Sequence, residues 1–337
     1  MSYVYAVARL RSMENRFLDA SFFARLIDSA TLDDALKSLG ETVYAQGISG
    51  APDAGGFDRI IDGELIAACD DLKRFVPDKE LVDLCRMPHD FNNVKVILKS
   101  LFKAREGGER RYDLLSRLGA VDTESLIMAL EGEEYGFLPY RLGDVIPRCW
   151  SLWEQTKDPQ CVETVLDGHL FAAMLELARE LEGKLKTGAV TRWVEHKIDA
   201  ENLRNAVRLQ RMGCDPAAAL PFFHKGGTIG PGDAARLMGE PLESWSKSLS
   251  HTGIGAALEV SQERADVQVT LSEISKALDG YLIRVLEKAK YSTSAPENVI
   301  LYLLRKEEEA RNLRIALVCV ANGLNREFAR RLLSHGR

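Results

Sequence analysis

Three stretches of this chain repeat one arrangement of residue types at a nearly constant interval. Asp90-Phe-Asn-Asn93-Val-Lys95-Val-Ile-Leu98, Asp199-Ala-Glu-Asn202-Leu-Arg204-Asn-Ala-Val207 and Glu309-Ala-Arg-Asn312-Leu-Arg314-Ile-Ala-Leu317 each read acid, two residues, Asn, aliphatic, base, two residues, aliphatic. The asparagines stand 109 and 110 residues apart, and three such units nearly fill the 337 residues. A second marker, Asp-Gly-x-Leu, recurs as Asp62-Gly63, Asp167-Gly168 and Asp279-Gly280, each 31 to 35 residues before its Asn. A single such tetrapeptide means little, but three at matched distance define a tripled unit. A weaker third marker is a short amphipathic stretch at Leu36–Tyr44, Leu126–Tyr135 and Trp245–Gly253. The division that follows is 1–105, 106–215 and 216–337, each unit holding some six helices with one pair of longer ones.

The segments between these markers are helical in character. Leu, Ala, Glu, Lys and Arg dominate them, and apolar residues recur at three and four, as in Leu65, Cys69, Leu72 and in Leu170, Met174, Leu177, Leu181. Alternating β-branched runs are scarce. Gly and Pro gather at Gly47–Gly56, Glu106–Glu109 and Gly226–Gly232, which read as loops, the last as a flexible connector. The fold class is all-α. A period near 110 is far longer than the 20–50 residues of familiar solenoids. A helical-repeat scaffold or adaptor without enzymatic activity is the alternative reading.

At the motif positions, Asp90 and Asp199 read as N-caps, helped by Pro88 just before the first. Asn is a mediocre helix former, so Asn93, Asn202 and Asn312 read as buried side chains hydrogen-bonded to a neighbouring loop. In the third unit the helix starts earlier, after Pro296, which leaves Glu309 in mid-helix. Asp62, Asp167 and Asp279 read as caps, with Gly63, Gly168 and Gly280 allowing close approach or a turn. Glu307-Glu308-Glu309 reads as a solvated helix face.

No chemistry-bearing motif stands out. Gly183-Lys184 is followed by Leu185 instead of the hydroxyl residue that a P-loop needs. The six histidines, His89, His169, His196, His224, His251 and His335, have no three- or four-residue spacing, and the six cysteines have no C-x-x-C pair. The thiols read as reduced, buried and inert. Asp33-Asp34 and Asp70-Asp71 do not extend to D-D-x-x-D, and no G-x-S-x-G elbow is present. No catalytic, cofactor or metal residues are assigned.

A formal charge of −6 without a basic block argues against nucleic-acid binding. The longest apolar run, Ile315–Ala321, is too short to span a bilayer, and the N-terminus lacks a secretory h-region.

Four segments carry a resemblance: Tyr3–Asn15, Met87–Leu98, Asp199–Arg208 and Pro296–Gly323. With its P-x-D-x-x-N-x-K and P-x-x-V-x-x-Y-L-x-x-K-x-x-E stretches, the chain resembles, over essentially its whole length, the C subunit of V/A-type ATP synthases, the counterpart of the d subunit of the vacuolar ATPase. The resemblance implies three similar helical domains with pseudo-threefold symmetry, forming a funnel with a central cavity. It implies a non-catalytic rotor subunit that links the central-stalk shaft to the membrane proteolipid ring. ATP synthesis or hydrolysis would thereby be coupled to proton or sodium translocation, with catalysis in other subunits. It also implies a peripheral location on the cytoplasmic face of the membrane.

Overall fold

The computed structural model describes residues 2–48, 56–263 and 271–333. Most of the Gly47–Gly56 loop, and His335, lie outside the described residues. Along the chain run α1 (Tyr3–Glu14), α2 (Ala20–Asp28), α3 (Leu32–Leu39), α4 (Ala45–Ile48), α5 (Phe57–Phe75), α6 (Glu80–Arg105), α7 (Thr123–Glu131), α8 (Leu142–Thr156) and α9 (Pro159–Leu185). They are followed by α10 (Ala189–Arg211), α11 (Pro216–Ala219), α12 (Pro231–Leu237), α13 (Trp245–Ser248), α14 (Gly253–Glu263), α15 (Leu271–Leu286), α16 (Glu297–Ala321) and α17 (Arg326–Leu332). Short 3-10 turns punctuate them, and no strand occurs among the described residues. The fold is all-α, as the composition predicts.

Helix starts follow local chemistry. Ser2, Asp19, Thr31, Asp122, Asp158 and Asp215 each accept a backbone N–H of the first turn, and Pro159 and Pro216 occupy first helical positions. The three motif-bearing helices end alike. Gly107, Gly213 and Gly323 take φ of +83°, +69° and +59° after α6, α10 and α16. In each case the next residue's N–H returns to a carbonyl five positions back: Gly108 to Lys103, Cys214 to Leu209, Leu324 to Cys319. This is a Schellman close, and glycine supplies the left-handed residue it requires.

The chain divides into two compact units, residues 1–85 with 287–337, and residues 86–286; the division falls inside α6. In the first unit α16 is the central helix, in contact with α1, α2, α3, α5 and α17. Its run Val299–Leu303 is buried without interruption, which an apolar stretch with no polar face requires. α5 shows the one-sided pattern instead, with Ile61, Leu65, Ala68, Leu72 and Phe75 buried. In the second unit α10 is central, touching α9, α12 and α15. There the Phe102 ring stacks on Trp153 at 4.6 Å and meets Trp150 edge-on at 4.8 Å.

The cap reading of Asp90 and Asp199 is corrected here. Asp90 lies ten residues into α6, and Asp199 ten into α10, both fully buried. α6 runs through Pro88 because Leu84, Met87 and Phe91 are buried on either side of it, and this packing outweighs the missing N–H. Asp62, Asp167 and Asp279 are likewise interior to α5, α9 and α15. Glu309 is in mid-helix, as its distance from Pro296 predicts.

Candidate functional site

Among the described residues the buried polar side chains are few, and the three motifs supply half of them: Asp90, Asn93, Asp199, Asn202, Glu309 and Asn312. Acid and Asn are three apart and therefore share a helix face; the base, two beyond the Asn, points to a different one.

In the first motif the Asn93 amide spans one loop residue. Its Oδ1 accepts the Ser116 N–H and its Nδ2 donates to the Ser116 carbonyl, both at 2.8 Å. Asp90 accepts the Val121 N–H at 2.9 Å and the Tyr140 hydroxyl at 3.0 Å. Arg86 adds a bond from Nε to the Leu118 carbonyl at 2.8 Å. The second motif repeats this. Asn202 accepts from the His224 N–H at 2.7 Å and donates to the His224 carbonyl at 2.9 Å. Asp199 accepts the Ile229 N–H at 2.8 Å and the Thr228 hydroxyl at 2.6 Å. A Cβ at Gly119 or Gly227 would run into the Asp90 or Asp199 carboxyl, so glycine is required there by close approach. The Gly226–Gly232 segment is therefore a tethered cover over Asp199, not a loose connector.

The third motif is elaborated. Glu309 accepts the Leu18 N–H at 2.6 Å, the Tyr44 hydroxyl at 2.8 Å and the Lys306 ammonium at 2.8 Å. Lys306 is 2% exposed and also lies 3.1 Å from Glu64. A buried ammonium needs such compensation, so Glu309 is no solvated face. Its loop partner comes from the N-terminal segment, where the first two motifs use a loop that follows them. Longer reach accompanies this change, since Arg16 stands where the other loops have Gly119 and Gly227.

The bases make a second recurrent contact. Lys95 pairs with Asp167, Arg204 with Asp279 at 2.5 Å, and Arg314 with Asp62. Each motif thus holds the Asp-Gly marker of the next third of the sequence, and the last holds that of the first. Gly63, Gly168 and Gly280 are not sites of close approach: a Cβ there meets nothing, or only ordinary contacts at 3.4–4.0 Å. All twelve marker residues are thereby placed. Ser116, Gly119, Val121 and His224, Gly227, Ile229 were not recognised from the sequence as loop partners of the motifs, although their matched three- and two-residue spacing carried the signal.

Burial raises the Asp90 carboxyl above its usual range, against the opposing pull of the Val121 N–H and Tyr140 hydroxyl. Burial likewise raises Glu64, opposed by Lys306. His224, desolvated against the Phe171 ring, is held below the ordinary histidine range. Burial pushes the Cys149 thiol up to about 12. Beside the third motif lies a cavity of about 260 Å³ lined by Met13, Phe17, Glu64, Asp71, Tyr302 and Lys306 among others. The Lys306 side chain in its wall is shared between Glu64 and Glu309. Among the described residues no group of three His, Cys, Asp or Glu is placed to hold a metal, and no helix is long and apolar enough to cross a membrane.

Bond for bond, the polar groups tie helices to loops and to one another, which defines an all-helical protein held by recurrent internal joints. The chain belongs to the ATP synthase (C/AC39) subunit family, whose model matches residues 6–332, and this makes it a subunit of a rotary ATPase. It is 26% identical to the A-type ATP synthase C subunit of Thermococcus kodakarensis, over 96% of this chain and 88% of that one. It is 28% identical to a V-type ATP synthase C subunit of Thermus thermophilus, over 93% and 92%. With the A-type ATP synthase C subunit of Methanocaldococcus jannaschii it shares 24% identity over 98% and 86%.

Proposed function

We propose that this chain is the non-catalytic rotor subunit that joins the central shaft of the ATPase to its membrane proteolipid ring. Rotation of one would turn the other, and ATP synthesis or hydrolysis would be coupled to proton or sodium translocation. Its place would be the cytoplasmic face of the membrane, held peripherally by the complex. The observation that carries this reading is the sequence of base-to-aspartate joints, first to second, second to third, third to first. A chain that closes on itself through three like joints suits three similar domains, near 1–105, 106–215 and 216–337, set about one axis as a funnel with a socket. A torque link must transmit load without melting, and half-buried joints at each seam serve that demand.

The test is reconstitution. The purified chain mixed with the shaft subunits is expected to give a discrete co-eluting complex at low and moderate salt; its absence at both would overturn the assignment. Docking on the membrane side should depend on the ring, because a charge of −6 disfavours an anionic lipid surface. Flotation with anionic liposomes lacking the ring should therefore leave the chain unbound.

A further inference from the structure

The three Asp-Gly-x-Leu markers differ at x, and each x residue makes a contact of its own. Glu64 lies 3.1 Å from the Lys306 ammonium. His169 Nε2 lies 2.8 Å from the Tyr140 carbonyl. The Tyr281 hydroxyl lies 3.3 Å from His196 Nδ1, and the two rings meet edge to face at 5.2 Å. Lys306 and His196 hold the same place in their motifs, three residues before the acid. In the first motif Met87 stands there, and the loop carbonyl of Tyr140 serves instead. The x residue is about 200° round the helix from its Asp. Each marker helix is therefore held on two sides, once by the base-to-aspartate pair and once through x.

The two contacts carry different information. A base and an aspartate recur at all three joints, so that pair does not tell one marker from another. Each motif also has a competitor close by in the chain, its own marker 31 to 35 residues earlier, and closing the shorter loop costs less entropy. α10 packs against both α9, which carries its own marker, and α15, which carries the next. Arg314 nevertheless pairs with Asp62, 252 residues away, while Asp279 holds Arg204.

Setting each x residue on its own motif supplies the missing discrimination. Glu64 at the first motif would bring a carboxylate against the Tyr140 carbonyl, acceptor against acceptor. His169 at the second would exchange a phenol for another imidazole, which repels His196 when both are protonated. Tyr281 at the third would leave the Lys306 ammonium, 2% exposed, with Glu309 as its one carboxylate. Polar groups withdrawn from water tolerate such mismatches poorly, and single polar contacts fix register and partner in other helical assemblies. We infer that the x residue of each marker is a recognition residue that selects the motif helix on which its own helix docks, so that α5 takes α16, α9 takes α6 and α15 takes α10.

The experiment is denaturant unfolding of full-length variants. Exchange of two x residues, Glu64→His with His169→Glu, keeps the composition and all three base-to-aspartate pairs. It is expected to lower the folding equilibrium constant about tenfold or more; a smaller loss would overturn the inference. Glu64→Tyr alone should also lower that constant. Adding Lys306→His, which writes the second joint's pair into the third, should raise it again, because the tyrosine then has its matching partner. A double variant no more stable than Glu64→Tyr would overturn selection by matched pairs. At the first joint, His169→Gln keeps a donor for the Tyr140 carbonyl and should stay within about threefold of wild type, whereas His169→Glu should not. Equal loss in those two would overturn the part assigned to His169. Should the exchanged variant fail to fold, the Glu64 and His169 series decide independently, since each alters one joint.

Discussion

At the scale of single residues, two kinds of glycine behave oppositely. Gly227 lies against the Asp199 carboxyl, so Gly227→Ala must displace that carboxyl or the loop and strip the Ile229 and Thr228 bonds. The expected loss is about 2–3 kcal/mol, the cost of a buried carboxyl left short of donors, measured by denaturant unfolding. Gly63 sits in mid-helix with open space where a Cβ would go. Gly63→Ala should instead stabilise by about 0.5–1 kcal/mol. A titration follows from His224, whose folded-state pKa is depressed by burial. Below the ordinary histidine pKa of 6.5 the unfolded chain takes up a proton that the folded chain refuses, so stability falls as pH drops through that value. His224→Gln should remove this part of the pH dependence, read as unfolding midpoints across pH 5 to 8. The need of Asn202 for a loop partner was legible in the sequence, because a polar amide on a buried helix face must be satisfied. Which atoms satisfy it was not: the partner is a backbone peptide, and a peptide leaves no signature in residue type.

Between elements, the base-to-aspartate joints hold α6 to α9, α10 to α15 and α16 to α5. They differ in exposure: Arg204 with Asp279 is 14% and 25% exposed, Lys95 with Asp167 is 18% and 31%, and Arg314 with Asp62 is 34% and 28%. Double-mutant cycles with Met for the base and Asn for the acid should give coupling of about 1 kcal/mol at the first two, as expected of partly shielded pairs. The third should be smaller, since it is the most hydrated. Equal coupling at all three would argue against exposure as the controlling variable. Helix existence was readable from three-and-four periodicity, and the start of α16 was placed from Pro296. The caps assigned to Asp90 and Asp199 failed for a physical reason. An acid looks the same in sequence whether it starts a helix or lies inside one, with a proline before it (Asp90) or without (Asp199), and burial of the preceding turn decides which.

For the molecule as a whole, the third motif is completed by the N-terminal segment. Leu18 donates to Glu309, and Ala6, Val7 and Leu10 of α1 are buried in the unit that contains α16. Removal of residues 1–18 should therefore leave Glu309 and Lys306 buried without their full set of partners and abolish cooperative unfolding of that unit, seen as a broadened or missing transition by circular dichroism. Removal of the exposed Phe137 side chain should leave the same transition intact.

Composition, periodicity and the recurring Asn motif determined an all-helical chain in which one motif returns at intervals of 109 and 110 residues, because helix propensity and apolar spacing are local and a repeated motif is visible wherever it is written. Tertiary structure alone decided that the motif acids lie in mid-helix, that each base reaches the marker of the following third, and that the third residue of each marker meets a partner of its own. Those are facts of burial and of contacts between distant residues, and neither is encoded at any one position.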